Sequence, residues 1–435
     1  MKSGKKIYQL IKDLWPINRS LTGNGNRETL SKLKKINPKL IKYEVPSGKK
    51  VFDWKIPLEW NVKKAFLKDI YTKKIILDFT DNNLHLMGYS IPISKVFHFD
   101  EIKKRLNFLK NQPNAIPYTT SYYKKDWGFN ISYNKFKKLN KKSRYLVHID
   151  TELKKGSMSF GEILIKGRSK KEILISTYIC HPSMANNELS GPALSIYLSK
   201  WLSLRKKRNN YTYRFLYIPE TIGSINFLSS KINKIKENVK GVINLTCVGD
   251  NRATCVLPSK YGNTFLDKLV LKYLKKKKIK FKKYNWKDRG SDERQYMSAL
   301  VNLPTISIMS SKYHTYKEYH TSQDDLKFVN IKGLDKNFKI HKEIIELIEK
   351  LKFPKTSIYC EPNLGKRQLY PTKSIFSRIK DNSKKKSKDL LSFLSFSDGN
   401  NSLEDISEYN NHSLNYTKKI HKLLKRNNLI EKNEF

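Results

Sequence analysis

Residues 178–191 read "YICHPSMANNELSG". The apolar run "EILISTYI" at 172–179 leads into this stretch, and "GPALSIYLSKWLS" at 191–203 leaves it. The first has the length and β-branched content of a buried strand, and the second has the length of a helix. Between them lie His181, Glu188 and a closing Ser190-Gly191. The stretch is either a metal-binding loop at the end of a strand or a polar turn. What stands at the ends of the neighbouring strands decides between the two.

Working outward, the pattern from residue 144 alternates strands and helices. "RYLVHID", "YRFLYIP", "GVINLTC" and "PTISIMS" read as strands, and "NTFLDKLVLKYLKKK" and "NFKIHKEIIELIEKLK" as helices. Such alternation predicts a mostly parallel sheet covered on both faces. In such sheets, sites form beyond the carboxyl ends of the strands. That rule brings together the opening loop, "PETIGS" at 219–224 and "TCVGD" at 246–250. Upstream, Ile7, Leu10, Ile11 and Trp15 share one helical face, "RSLTGNG" is a turn, and "RETLSKLKKI" is a second amphipathic helix. Residues 48–140 change to short β-rich segments with turn punctuation. After the connector at 354–371, three short helices end in the basic "NYTKKIHKLLKRNNLIEK". Helix, short helix, basic helix is the winged-helix or helix-turn-helix order.

Composition bounds the class. The 435 residues are 38% hydrophobic, which is enough for sizeable cores,. No stretch of about 18 apolar residues is present, so no membrane insertion is expected. Four cysteines without a C-x-x-C spacing fit a reducing, cytoplasmic setting,. The net charge of +48 is carried mainly by lysines spread over every segment. That spread reads as lysine-rich composition throughout; a dedicated polyanion surface concentrates its charge and uses arginine forks.

His181 and His320 are the two histidines that stand beside carboxylates where the sheet rule puts a site. Two imidazoles and a carboxylate from separate loops suit zinc and leave a position for water. An unligated glutamate can then serve as general base, and Glu220 at the end of "YRFLYIP" is the candidate. The competing role for Glu220 is a first-turn carboxylate on a helix dipole. Asp292 and Arg294 in "RGSDERQY" are candidate substrate-binding residues, with a surface ion pair as the alternative. Tyr122, Tyr123 and Trp127 read as core of the β-rich module in preference to a pocket cover. Asp324 and Asp325 read as caps before "LKFVN".

In this order, "ICHPSMANNELSG", "IPETIGS", "RGSDERQY" and "EYHTSQDDL" resemble the aminopeptidase-like proteins encoded in bacterial surface-polysaccharide gene clusters. "RSLTGNGNRETL", "VFDWKIPLEWN", "DNNLHLMGYSIP" and the helical tail extend the resemblance over nearly the whole chain. Through that family the chain is similar to zinc exopeptidases of the leucyl aminopeptidase and glutamate carboxypeptidase kind. The resemblance implies an α/β fold: a zinc-exopeptidase-like mixed-sheet sandwich (1–47 and 141–356), an inserted β-rich domain (48–140) and a winged-helix-like domain (370–435). It matches His181 to the first metal histidine, His320 to the last, and Glu220 to the general base. It also exposes departures. Thr221 stands where a second, metal-binding glutamate is expected, and Asn187 where an aspartate bridges two metals. Ser183 replaces the aspartate that supports the first histidine, and Thr246 replaces the remaining metal aspartate.

Two zinc ions bring four positive charges, and only Glu188, Glu220 and Asp250 stand nearby to offset them,. The expectation is therefore one zinc, held by His181, Glu188 and His320. The expected function is an aminopeptidase-like metal-dependent hydrolase of a peptide or of an amide on an amino-sugar precursor. The alternative is a catalytically inactive exopeptidase-fold protein that binds or regulates through its winged-helix tail. For that tail, docking or dimerisation is preferred over nucleic acid.

Overall fold

The computed structural model describes residues 3–122, 124–370 and 382–431. A mixed eight-stranded sheet forms its centre. From edge to edge the strands are Ile41–Pro46, Ser157–Ile165, Thr212–Ile218, Glu172–Tyr178, Val239–Asn244, Thr305–Met309, Cys255–Leu257 and Lys282–Lys283. The four central strands, Thr212–Ile218 through Thr305–Met309, run parallel. Antiparallel pairs flank them on both sides. The central strands are buried almost throughout, as their unbroken apolar runs require,. Their carboxyl ends share one edge, so the loops after Tyr178, Ile218, Asn244 and Met309 meet there.

Helices cover the sheet. Ser190–Ser203, Ile331–Ile348 and the N-terminal Ser3–Leu14 pack together on one face. The expected stripe of Ile7, Leu10 and Ile11 is buried in that layer, with Trp15 half-buried at its end. Gly191 shows why the quoted loop ends as it does. A Cβ there would meet Thr177 Oγ1 and, at 2.5 Å, the Leu245 carbonyl oxygen. Only glycine lets the helix start that close to the sheet edge.

A second, four-stranded antiparallel sheet has the order Ile75–Asp78, Glu59–Asp69, Arg144–Lys154, Ile93–His98. "RYLVHID", expected to open the α/β region, is therefore part of this sheet and continues to Lys154. Its side chains alternate between buried and half-buried, the signature of a sheet with one covered face,. Trp127 packs in this module's core, 5.3 Å from Phe97, in agreement with the core reading. Tyr123 lies outside the described residues.

Among its described residues the tail has three helices, Asn382–Ser395, Leu403–Tyr409 and Leu414–Arg426. Leu390, Phe393, Ile406, Ile420 and Leu424 form its core. Bridges from Lys355 to Asp398 and from Thr356 to Ile430 tie it back to the connector. Among the described residues no helix is long and apolar enough to cross a membrane.

Gly191→Ala is expected to cost about 1–3 kcal/mol through overpacking. A lowered urea midpoint at unchanged slope is the readout; an unchanged midpoint would mean the helix start can yield.

Candidate metal and hydrolytic site

His181 follows the strand Glu172–Tyr178 and is buried. Its Nδ1 lies 2.9 Å from Glu188 Oε2, and its Nε2 lies 3.7 Å from Glu220 Oε2. With Nδ1 protonated, the ring donates to Glu188 and turns Nε2 toward the cleft. Glu188 reaches this position because Ala185–Leu189 forms a π-helical turn, which swings position 188 inward,. Arg19, fully buried, lies behind both residues. Its Nε donates to the His181 carbonyl at 3.1 Å and stands 3.8 Å from Glu188 Oε1.

The electrostatics follow from burial. Burial pushes the Glu188 carboxyl up, opposed by His181 and Arg19. Burial also disfavours charge on His181, but the hydrogen bond to Glu188 and the nearby Glu220 outweigh it, so the ring's pKa is raised. His320 is held well below the ordinary histidine value by burial and then by His181.

His320 comes from the loop after Thr305–Met309, and its ring centroid is 5.3 Å from that of His181. It stacks on Tyr319 at 3.9 Å. Tyr118, from the inserted module, sits 5.2 Å from both imidazoles, and its backbone N–H donates to the His320 carbonyl at 2.9 Å. The Tyr118 hydroxyl meets that of Tyr122 at 2.8 Å. The module thus lays a strap across both histidines. Neither Tyr118 nor Arg19 stood out in the sequence. Arg19 lies in a segment that reads as a turn, and Tyr118 lies just upstream of the aromatics at 122–127.

Glu220, Cys180, His181 and Tyr122 line a cleft of about 470 Å³ with Leu21, Trp54 and Ile222. Thr221, next to Glu220, has φ 65° and ψ −72°, a strained conformation for a β-branched residue,. Ser183, Cys247 and His320 also have positive φ, so strain gathers on all four loops of the site. Asp292 holds Thr221 in place, accepting from its N–H and from Ser224 Oγ, each at 2.8 Å. Asp292 is fully buried beneath the cleft wall, and its Oδ2 has no partner. Arg294 is exposed and reaches Thr221 Oγ1 at 3.3 Å. Among the described residues Asp292 and Arg294 form no ion pair.

Asn187 and Thr246, two of the positions matched to further acids, are neutral and linked to each other through Tyr178. Asn187 Nδ2 donates to Tyr178 OH at 2.7 Å, Tyr178 OH meets Thr246 Oγ1 at 2.6 Å, and Thr246 donates to the Asn187 carbonyl at 3.0 Å. Asp250 is turned away from the cleft, accepting from Asn186 Nδ2, Arg252 N and Ser311. Asp324 departs from the capping expectation. It is buried and accepts the N–H groups of Asn186 and Asn187 at 2.6 and 2.9 Å, clamping the π-helical turn. Only Asp325 caps, accepting from Lys327 N and Phe328 N.

One buried group, Cys180, His181 and Glu188, brings three ligand-type atoms within 4.8 Å of one another; His320 is not among them. Part of it is already committed: His181 Nδ1 to Glu188 Oε2, and Cys180 Sγ to the Glu220 N–H at 3.1 Å, while Glu188 Oε1 accepts no hydrogen bond and faces Arg19. The Arg19 guanidinium beside it would repel a cation,. The open side of the cluster is Nε2, facing Glu220.

Burial, with Glu220 adding to it, pushes the Asp292 carboxyl up to about 7 from an ordinary 3.8. A raised carboxyl stabilises the fold fully below the unfolded value, and this contribution is lost as pH rises through about 7,. Asp292→Asn, which cannot ionise, should therefore gain on the wild type as pH goes from 5 to 8, by up to a few kcal/mol. Melting curves at each pH give the difference, and a constant difference would show that Asp292 ionises normally.

Residues 8–351 match the family described as "Domain of unknown function (DUF4910)", and residues 352–432 match "winged helix-turn-helix". A Clostridium acetobutylicum protein named for polysaccharide biosynthesis and an aminopeptidase-like domain is 43% identical over 409 residues, 93% of this chain and 91% of its own length. A crystal structure from the same organism, titled as a peptidase, is 40% identical with TM-score 0.79, covering 98% of this chain and 96% of that one. A Bacillus subtilis zinc aminopeptidase is similar in fold alone, with 12% identity and TM-score 0.59 over 79% of this chain and 95% of its own.

Proposed function

The chain belongs to the family described as "Domain of unknown function (DUF4910)", and on that premise we propose that it is a single-metal, aminopeptidase-like hydrolase of an amide or peptide bond. The observation that carries this reading is the two-sided binding of His181. Glu188 holds Nδ1 at 2.9 Å, and Nε2 faces Glu220 at 3.7 Å in an accessible cleft. A carboxylate behind an imidazole fixes the tautomer and raises the basicity of the far nitrogen, the usual outer support of a histidine ligand. What supports one zinc is His181 Nε2 with His320 on the neighbouring loop; Glu188, expected as a third ligand, is instead the outer carboxylate behind Nδ1. One ion in preference to two is supported by Asn187 and Thr246, neutral groups linked to each other through Tyr178.

Zinc, when bound, supplies a Lewis acid for the carbonyl and lowers the pKa of water. The chain's own residues supply the rest. Glu220 accepts a proton from the attacking water at its carboxylate and returns it to the leaving amine. Asp292 fixes Thr221 and, through it, the direction of Glu220. Tyr118 closes the far side of both imidazoles and keeps bulk water from them. The cleft's mixed wall, with Trp54 and Leu21 beside Lys55 and Asp53, suits a short peptide or an amide-bearing sugar precursor. The relative's name supports a link to polysaccharide biosynthesis.

Metal analysis of the purified full chain tests the proposal. About one zinc per chain is expected, lost in His181→Ala and in His320→Ala. Glu220→Gln is expected to keep its zinc and lose at least about 100-fold in amide hydrolysis across a dipeptide and N-acyl amino-sugar panel. A folded chain that takes up no zinc when supplied with it would leave the family's fold in a binding or regulatory role.

A further inference from the structure

Arg294 and His314 meet at the Gly290-Ser291 backbone, beside Thr221 of the cleft wall. Arg294 is exposed but not loose. Its Nε donates to the Ser291 carbonyl at 3.0 Å, and its Nη2 donates to Thr221 Oγ1 at 3.3 Å. A guanidinium has five N–H donors, so three remain for a ligand. Among the described residues no carboxylate pairs with Arg294. The less exposed Arg19, Arg27 and Arg214 each meet a glutamate. His314 comes from the loop after Thr305–Met309 and has φ 61°, which a non-glycine residue rarely adopts,. Its ring lies over Gly290, where a Cβ would come within 2.8 Å of Nε2. Among the described residues its ring nitrogens make no hydrogen bond.

The charges around the pair are of one sign where a ligand would sit. Lys312 is buried behind His314, with its Nζ donating to the Tyr313 carbonyl at 3.0 Å and 4.2 Å from the centre of the Tyr313 ring. Burial, then Lys312 and Arg294, hold His314 below the ordinary histidine value. The acids close by have other partners. Glu293 is buried and accepts from Gly290 N, Ser291 N and Asn244 Nδ2. Asp292 is buried against Thr221 and Ser224, and Glu220 is turned to His181. Asp288, near Lys312, accepts from Asn285 N. Keeping Arg294, His314 and Lys312 together costs mutual repulsion that an anion would relieve.

The geometry points to an anion subsite formed by Arg294 with His314 beside it, which selects amide substrates that carry a carboxylate or phosphate near the bond to be cleaved. A ladder of rings sets how near. The His314 ring is 4.7 Å from that of Tyr319, which stacks on His320 at 3.9 Å. Two such steps from a candidate metal ligand cover at most two or three residues of extended chain, at about 3.4 Å each. The anion therefore belongs to the residue or sugar next to the scissile amide. A planar guanidinium with three free donors suits the oxygens of either anion, and an N–H from His314 adds a second point of contact. A neutral substrate would leave the fork facing water. This subsite rests on the reading of the cleft as hydrolytic, but its test needs no turnover.

Isothermal titration of the full chain carrying Glu220→Gln, supplied with zinc, compares two pairs of probes. One is N-acetylalanine against N-acetylalaninamide, the other N-acetylglucosamine phosphate against N-acetylglucosamine. In at least one pair the anionic member should bind at least about tenfold more tightly, and the pair that does so tells carboxylate from phosphate. Adding Arg294→Gln should cut that preference to below about threefold and leave the neutral member within about twofold. Arg294→Lys should restore part of it. A role confined to holding Thr221 would instead weaken both members alike. His314→Asn, a residue tolerated at positive φ, should weaken the anionic member alone by about threefold. Arg168→Gln, on an exposed arginine at the opposite edge of the sheet, should change the preference less than about twofold. Melting curves establish that each variant is folded. The proposal is overturned if neither anionic probe is preferred. It is equally overturned if the preference survives Arg294→Gln, as it would for an anion bound to the metal. Zinc uptake is read separately: zinc without an anion preference removes the subsite alone, and a preference without zinc removes the hydrolytic reading alone.

Discussion

The site depends on how a buried carboxylate is partnered. Glu188 is sealed from water, and burial alone would favour its protonated form,. Two partners oppose that: the His181 imidazole on one oxygen and the Arg19 guanidinium near the other. Arg19 comes from the N-terminal turn, Glu188 from the π-helical turn and His181 from a strand end. The three elements cannot separate without leaving a buried charge unpaired, which costs several kcal/mol. The same interaction fixes the ring so that Nε2, and not Nδ1, meets the cleft. Packing of the N-terminal helices and orientation of the candidate ligand are thus one constraint.

A second feature follows from charge balance. Where a two-metal exopeptidase concentrates acids, this chain has Asn187, Thr221 and Thr246. Asn187, Tyr178 and Thr246 are linked in a neutral hydrogen-bond chain that leaves Asn187 Oδ1 without a partner, and Thr221 carries the backbone strain beside Glu220. Neutral groups bring no negative charge to offset a second dication. Remaining acids near the loop, Asp250 and Asp324, spend their oxygens on backbone and side-chain donors. Asp324 holds the Asn186-Asn187 backbone and Asp250 the Asn186 side chain, which together set the turn that carries Glu188.

Much of this was legible in the sequence, and the limits are instructive. Unbroken apolar runs marked the central strands, and the carboxyl-end rule brought His181, Glu220 and His320 to one edge. The residue pattern also carried the family resemblance and the three-helix tail. Orientation within the loop was not legible. A helical or extended reading of "ANNEL" leaves Glu188 free to point either way, and only the wide π-helical turn puts its carboxylate on Nδ1. Asp324 and Asp325 look alike in sequence, yet one is buried against a loop 137 residues away and the other caps its own turn. Local propensity cannot separate them, because tertiary contact decides. "RYLVHID" shows the same limit for strands: its alternation was visible, but its partners in the inserted sheet were not.

The inserted module is more than a decoration on the α/β sheet. Its strap pairs with the His320 loop through a bridge from Pro117 to Thr321 and through Ser322 and Ile116, which exchange hydrogen bonds. Tyr118 is carried on that strap and packs on both imidazoles. His320 itself has φ 54°, a conformation that a non-glycine residue keeps only when its surroundings hold it,. The strap supplies that hold, since the Tyr118 N–H bonds the His320 carbonyl. One edge of the cleft is therefore set by the central sheet and the other by the module. A shift of the module would move Tyr122, whereas the hairpin bearing Trp54 packs with Ile222 and Ile225 of the α/β domain, so the element that steadies His320 also shapes one wall of the space a substrate must enter.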